Sequence, residues 1–173
     1  MATEALALTR LTTDYVVEED RLCLRGESEA GQRVTVWLTA RMMSVLVPRL
    51  IAWLEGQTAG QPMADLRQTM AQEAAVATHE AQAPVAPTSP ADAFLTRSID
   101  IVTAEDAMRL VFKDGEGDEA RKVQVPFLAT ELRQWLAIVL AAYETAGWSM
   151  TVWPEWMREV RKPQASGQRV NLH

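Results

Sequence analysis

The chain has 173 residues, and its 17 Lys and Arg against 23 Asp and Glu give a formal net charge of −6. A single Cys excludes an intramolecular disulfide, and one Cys with two His cannot supply the four ligands of a structural zinc site. Apolar residues make up 48% of the sequence, which is enough for a hydrophobic core and predicts a folded chain.

Residues 1–56 predict three strands followed by one helix. The strands are expected over 10–17, 21–26 and 33–38, because Leu22 and Leu24 alternate with polar residues as in a half-buried strand. The helix is expected over 39–55, after Thr39 as an N-terminal cap. Apolar residues recur in it at spacings of three or four, which predicts one buried face: Met43, Leu46, Leu50 and Leu54.

Residues 57–93 predict a linker with two parts. The part over 63–82 is rich in Ala and Gln, contains no Gly or Pro, and follows Pro62, which predicts a third, weakly packed helix. A thin stripe with small residues runs along it: Met63, Leu66, Met70, Glu73 or Ala74, and Ala77. The Pro-rich part over 83–90 predicts an extended connector. This helix is either a plain linker or a surface for dimerisation or docking.

Residues 94–147 predict a second unit with the same order of elements. Strands are expected over 98–103, 108–113 and 122–127, and a helix over 130–145 that begins near Thr130 and ends at Gly147. Short matches recur in register, such as Leu8-Thr9-Arg10 with Leu95-Thr96-Arg97. The sequence therefore predicts an α+β fold by internal duplication of a βββα unit. About six antiparallel strands would be covered by two long helices, with a linker helix in addition.

Residues 148–173 form a segment rich in Trp that ends in a basic stretch. In one interpretation the tryptophans fold back and cover the core. In the other, the segment binds a partner, because Trp and Arg are common interface anchors. The candidate partner-binding residues are Trp148, Trp153, Trp156, Arg158 and Arg161.

No group of residues in the sequence has the pattern of an active site. Ser28 has no His near it in the sequence, His79 stands alone in the predicted linker helix, and Cys23 lies on a strand opposite Leu22 and Leu24. The acidic turn over 114–119 lacks the spacing of a calcium loop, and no phosphate-binding loop occurs. We therefore expect no enzyme, no catalytic residue, no metal and no cofactor.

The first ten residues show neither a basic region nor a long apolar run, which argues against a signal peptide. The most apolar stretch, over 42–54, is shorter than the roughly 20 residues that span a membrane. We expect a cytoplasmic protein without a membrane partner.

Two functions remain open. The first is a non-enzymatic binding or scaffolding protein that acts through contacts with an unknown protein partner and that forms a homodimer in one version of the hypothesis. The alternative is a single-stranded nucleic-acid binder, because tandem sheet-plus-helix units are similar in outline to PUR-repeat and PC4-like proteins. The basic strand residues that would contact nucleic acid are Arg21, Arg25, Arg33, Arg109, Lys113, Arg121 and Lys122. Such binders also need exposed aromatic rings, for which the strands offer Tyr15, Trp37, Phe112 and Phe127.

Overall fold

The computed structural model describes residues 2–160, and over this range the fold is α+β. The first half contains strands β1 (Leu6–Ala7), β2 (Arg10–Val16), β3 (Arg21–Glu27) and β4 (Arg33–Thr39), and then helix α1 (Ala40–Gly56). Helix α2 (Ala64–Ala77) follows. The second half contains strands β5 (Ala93–Leu95), β6 (Ser98–Thr103), β7 (Ala107–Lys113) and β8 (Lys122–Leu128), helix α3 (Ala129–Ala146) and the short helix α4 (Glu155–Val160).

The described strands form two four-stranded sheets, and each sheet takes one strand from the other half of the chain. The first sheet has the order β2-β3-β4-β5, and the second has the order β1-β8-β7-β6. Strand β1 pairs in parallel with β8, with Leu6 beside Val123, and strand β5 pairs in parallel with β4, with Leu95 beside Trp37. The other pairs are antiparallel. The two halves are therefore interlocked through reciprocal edge strands.

The crossing of β1 into the second sheet depends on a close approach at Gly26. The side chain of Leu8 is only 2% exposed, and a Cβ added at Gly26 would lie 2.1 Å from its Cδ1 atom. A Cβ at that distance would overlap the leucine, so glycine is the residue that lets Leu8 pack against the first sheet.

One hydrophobic core joins both sheets and the long helices. Alternate strand residues point inward, among them Leu24 and Val36 in the first sheet and Leu110 in the second, all of them 0% exposed. Helix α3 spans the two halves through Trp135, whose ring stacks on Phe127 and whose indole N–H donates to the Thr13 hydroxyl at 3.0 Å.

The predicted α+β class is confirmed, but the prediction of about six strands is wrong. The six longer strands and the two long helices lie within two residues of their predicted bounds. The two additional strands are β1 and β5. With two and three residues they are too short to show a periodic pattern, and they pair with strands far away in the sequence.

Two of the three expected helix ends have the expected cap. The Thr39 hydroxyl accepts from the Met42 N–H at 3.2 Å, and Gly147 ends α3 with a positive φ of 69°. Thr130 does not cap α3, because the helix begins at Ala129. There the Glu131 carboxylate accepts from the Leu128 N–H at 2.9 Å.

No helix within residues 2–160 is both long enough and apolar enough to cross a bilayer.

Candidate functional site

Each sheet has an outer face, formed by the strand residues that alternate with the core residues. In the first sheet one row of this face runs Thr12, Arg25, Thr35 across β2, β3 and β4. The row at the same place in the second sheet runs Ser98, Lys113, Lys122 across β6, β7 and β8. The next rows are Asp14, Cys23, Trp37 and Asp100, Val111, Gln124. The two faces can therefore be compared position by position.

The outer face of the first sheet is covered by the connector, residues 83–90. The Val85 N–H donates to the Thr12 hydroxyl at 2.8 Å, and the Thr88 and Thr35 hydroxyls lie 2.7 Å apart. Val85 is 0% exposed. The segment predicted as an extended connector thus passes from β2 to β4 and shields part of this face from solvent.

Beside the connector an open groove of about 630 Å³ remains on the covered face. Cys23 and Trp37 lie on its floor, Pro87 and Pro90 line its wall, and Arg25 forms an ion pair with a neighbouring carboxylate, that of Asp14. Burial raises the pKa of the Cys23 thiol, so the thiol stays protonated near neutral pH. Among the described residues that line the groove there is no His that could act as a base for this cysteine.

Among residues 2–160, no connector crosses the outer face of the second sheet, and we call it the open face. Val102 is 46% exposed and Leu128 is 54% exposed, and Pro126 and Arg109 are exposed as well. The outer-facing strand residues are Ala7, Ser98, Asp100, Val102, Ala107, Arg109, Val111, Lys113, Lys122, Gln124, Pro126 and Leu128. The open face therefore combines apolar side chains with basic ones.

Six of the seven predicted nucleic-acid contacts are divided between the two outer faces, and the seventh, Arg121, lies before β8. Arg21, Arg25 and Arg33 lie on the first sheet, and each has a carboxylate partner, respectively Glu19, Asp14 and Glu27. On the second sheet Lys113 pairs with Asp100 at 3.0 Å, and this hydrogen bond raises the pKa of the lysine.

The remaining three basic candidates differ in their surroundings. Arg121 precedes β8 and pairs with Asp114 at 2.7 Å, while its guanidinium lies over the ring of Phe94, 5.1 Å from the centroid. Arg109 and Lys122 have no acidic partner among residues 2–160. Unpaired cations are thus found on the open face: Arg109 lies between the exposed apolar residues Val102 and Pro126, and Lys122 lies two rows further along the strands.

The aromatic strand residues do not form a platform on the open face. Phe112 and Phe127 point into the core and are buried, and Tyr15 lies on the inner side of β2. Trp37 is the one strand aromatic on an outer face within the described range, and it lies in the groove of the first sheet.

The predicted partner-binding tryptophans lie within the chain's own fold. Trp153 is 2% exposed and Trp156 is 5% exposed, and both belong to the core. Trp148 is half-buried, and its indole N–H donates to the Asp20 carboxylate at 3.0 Å. Arg158 is exposed, and Arg161 lies outside the described residues. In this conformation the buried rings cover the core.

Helix α2 has its polar side inside and its apolar side outside. The buried residues are Gln68 and Gln72, each 1% exposed, and Ala75. Gln68 donates to the Leu54 carbonyl at 2.7 Å and accepts from the guanidinium of Arg133, a buried cation whose pKa burial lowers to about 10. The stripe that the sequence singled out is exposed, at 69% for Met63, 48% for Leu66 and 60% for Met70.

Within residues 2–160, no three His, Cys, Asp or Glu side chains are grouped so that they could hold a metal ion. Sequence reasoning found the open-face residues as alternating strand positions, but not the difference between the two faces. That difference depends on the path of the connector, for which the sequence carries no local signal.

No protein-family model matches the chain, and no match was found among curated proteins or solved structures.

Proposed function

We propose that this chain is a non-enzymatic binding protein that recognises a partner protein through the open face of its second sheet. One observation carries the proposal. Of two sheet faces with matching positions, one is partly covered by a segment of the chain itself, whereas no segment within residues 2–160 crosses the other, which carries exposed residues such as Val102 and Leu128.

The exposed apolar side chains support a binding surface more than a solvated one. Val102, Pro126 and Leu128 are all exposed on the open face, whereas Val16 and Thr39, which stand at the positions of Val102 and Pro126 in the first sheet, are half-buried. A cluster of exposed apolar groups bordered by polar residues is typical of an interaction site.

The charges on the open face also favour it as the binding surface. Arg109 and Lys122 stand on it without acidic partners among the described residues, although the chain as a whole carries a net charge of −6. An unpaired charge beside an apolar patch, such as that of Arg109 between Val102 and Pro126, increases the specificity and the association rate of a complex.

Single-stranded nucleic-acid binding receives less support. The open face carries three basic residues of the predicted set but no aromatic ring on which a base could stack. Phosphate contacts alone would leave weak and salt-sensitive binding.

We also infer that the two halves arose by duplication of one unit. The shared order of elements, the reciprocal edge strands and the matching ion pairs Arg25–Asp14 and Lys113–Asp100 support this inference.

Affinity capture from cells that make the protein tests the proposed function. The wild type is compared with the variants Val102→Glu and Leu128→Glu, and Val45→Glu on α1 is the matched control, because Val45 is 53% exposed. We expect the captured protein, or self-association measured by light scattering, to be lost with the first two variants and kept with the control. If all four proteins still capture the partner, or if only the control Val45→Glu fails to capture it, the proposal is contradicted.

A further inference from the structure

We infer that the open face receives an extended acidic segment of a partner protein, which crosses its strands as the connector crosses those of the first sheet. This inference rests on the proposed function and names the chemistry of the partner.

The path of the connector over the first sheet gives the geometry that we expect for the bound segment. Between Val85, bonded to Thr12 on β2, and Thr88, which contacts Thr35 on β4, it passes over two strand spacings. Three residues of extended chain span about 10 Å, which equals two strand spacings. The connector therefore lies nearly perpendicular to the strands and is held by side-chain hydroxyls.

The matching row of the second sheet offers the same path with different chemistry. Ser98 stands where Thr12 stands, and its hydroxyl oxygen is shielded from solvent and has no hydrogen-bond partner within the described chain. Lys122 stands where Thr35 stands, and Lys113 stands where Arg25 stands. Because the Ser98 oxygen is shielded, the polar groups that a segment on this path would meet are the two ammonium groups of Lys113 and Lys122.

The charges identify the occupant. Of those two ammonium groups, Lys113 already pairs with Asp100, whereas Lys122 has no acidic partner within residues 2–160. The neutral connector meets a threonine at the position of Lys122, so a segment suited to the open face carries a carboxylate there. The chain's own segment 161–173 has the wrong charge, since it contains Arg161, Lys162 and Arg169 and no Asp or Glu.

The probe for this inference is a synthetic peptide that copies residues 82–91 with the change Thr88→Glu. A second peptide with Thr88→Lys has the same length and the opposite charge at that position. Each is titrated into the isotope-labelled full chain, and the amide signals of Val111 and Gln124 are followed by NMR. The wild-type first sheet cannot take up either peptide across its face, because the connector already lies there.

We expect the glutamate peptide to shift these amides and to bind about fivefold more tightly than the lysine peptide, which corresponds to one exposed ion pair. In the variant Lys122→Glu the preference should reverse. The variant Arg158→Glu is the control, because Arg158 is exposed on α4, and it should keep the wild-type preference.

Equal binding of both peptides, or an unchanged preference in Lys122→Glu, would overturn the inference. Shifts of the same amides by oligo-dT and not by the glutamate peptide would overturn it in favour of nucleic acid. If neither peptide binds while Val102→Glu still abolishes capture of the partner, the inference fails and the proposed function stands. If the glutamate peptide binds as expected but capture is unaffected, the proposed function fails instead.

Discussion

The backbone N–H of Val85 donates a 2.8 Å hydrogen bond to the hydroxyl of Thr12, 73 residues earlier in the chain. Both residues are buried, at 0% and 3% exposure. This bond holds the connector on the first sheet, and it explains why, within residues 2–160, the outer face of the first sheet is partly covered while that of the second is not.

The first prediction concerns this bond. Thr12→Val keeps the shape of the side chain but removes the acceptor, which leaves the buried Val85 N–H without a partner. We expect a loss of about 1–3 kcal/mol in the free energy of unfolding, measured by urea denaturation. Thr9→Val is the control, since the Thr9 hydroxyl bond is exposed, and it should change stability by less than about 0.5 kcal/mol.

A loosened connector should also expose Cys23, so the reaction of Cys23 with a thiol reagent should be faster in Thr12→Val than in the wild type. Equal rates would contradict the assignment.

The second prediction concerns the crossing of β1. In Gly26→Ala the new methyl group would overlap Leu8, and we expect a loss of about 1–3 kcal/mol of stability. The double variant Gly26→Ala with Leu8→Ala should be more stable than the sum of the two single changes implies, because the shorter side chain makes room. Simple additivity in thermal or urea unfolding would show that these two residues do not contact.

The third prediction follows from the reversed polarity of α2. Gln68→Ala removes hydrogen bonds to Leu54 and Thr58 and leaves the buried guanidinium of Arg133 without its amide partner. We expect a loss of about 2 kcal/mol or more in the free energy of unfolding. Leu66→Ala changes a residue that is 48% exposed and should cost less than about 0.5 kcal/mol. A larger effect for the leucine than for the glutamine would mean that α2 packs through its other side.

The fourth prediction is a pH dependence at Tyr143. Burial raises the pKa of this phenol to about 12 from 10.0, and its hydroxyl has no hydrogen-bond partner among the described residues. The stability that the neutral phenol contributes is therefore fully present below pH 10 and is lost as the pH rises towards 12.

Tyr143→Phe should be as stable as the wild type at pH 8, or more stable by up to about 1 kcal/mol, and should lose less stability between pH 9 and pH 11. Arg133, whose pKa is about 10, titrates in the same pH range with the opposite effect on stability. Because Arg133 is present in both the wild type and Tyr143→Phe, its contribution cancels in the difference between them. Parallel pH profiles of the two proteins would contradict this account. Tyr143→Leu is a control for packing, since the ring lies edge-on to Trp148 and Trp153.

Local patterns in the sequence were sufficient to predict most of the helices and strands. Strand β3 could be predicted because Leu22 and Leu24 alternate with polar residues, and α1 could be predicted from its apolar spacing and the Thr39 cap. These signals lie within a few residues of the element they specify.

Features that depend on distant contacts could not be predicted. The pairing of Leu6 with Val123 joins strands more than a hundred residues apart, and nothing near Leu6 specifies it. The burial of Gln68 depends on Arg133, 65 residues away, although helix periodicity alone favours Leu66 as the packed residue. The open face could not be predicted for the same reason, because the difference between the two sheet faces depends on where the connector lies.

The most direct test of the central claim is photocrosslinking from single positions in living cells. A photoreactive amino acid is placed at Gln124 at the centre of the open face, and in a second protein at Val45 on α1, which is exposed on another surface. We predict that Gln124 crosslinks to the protein that Val102→Glu fails to capture, and that Val45 does not. Crosslinking of that protein from Val45 and not from Gln124 would place the binding surface elsewhere and contradict the account.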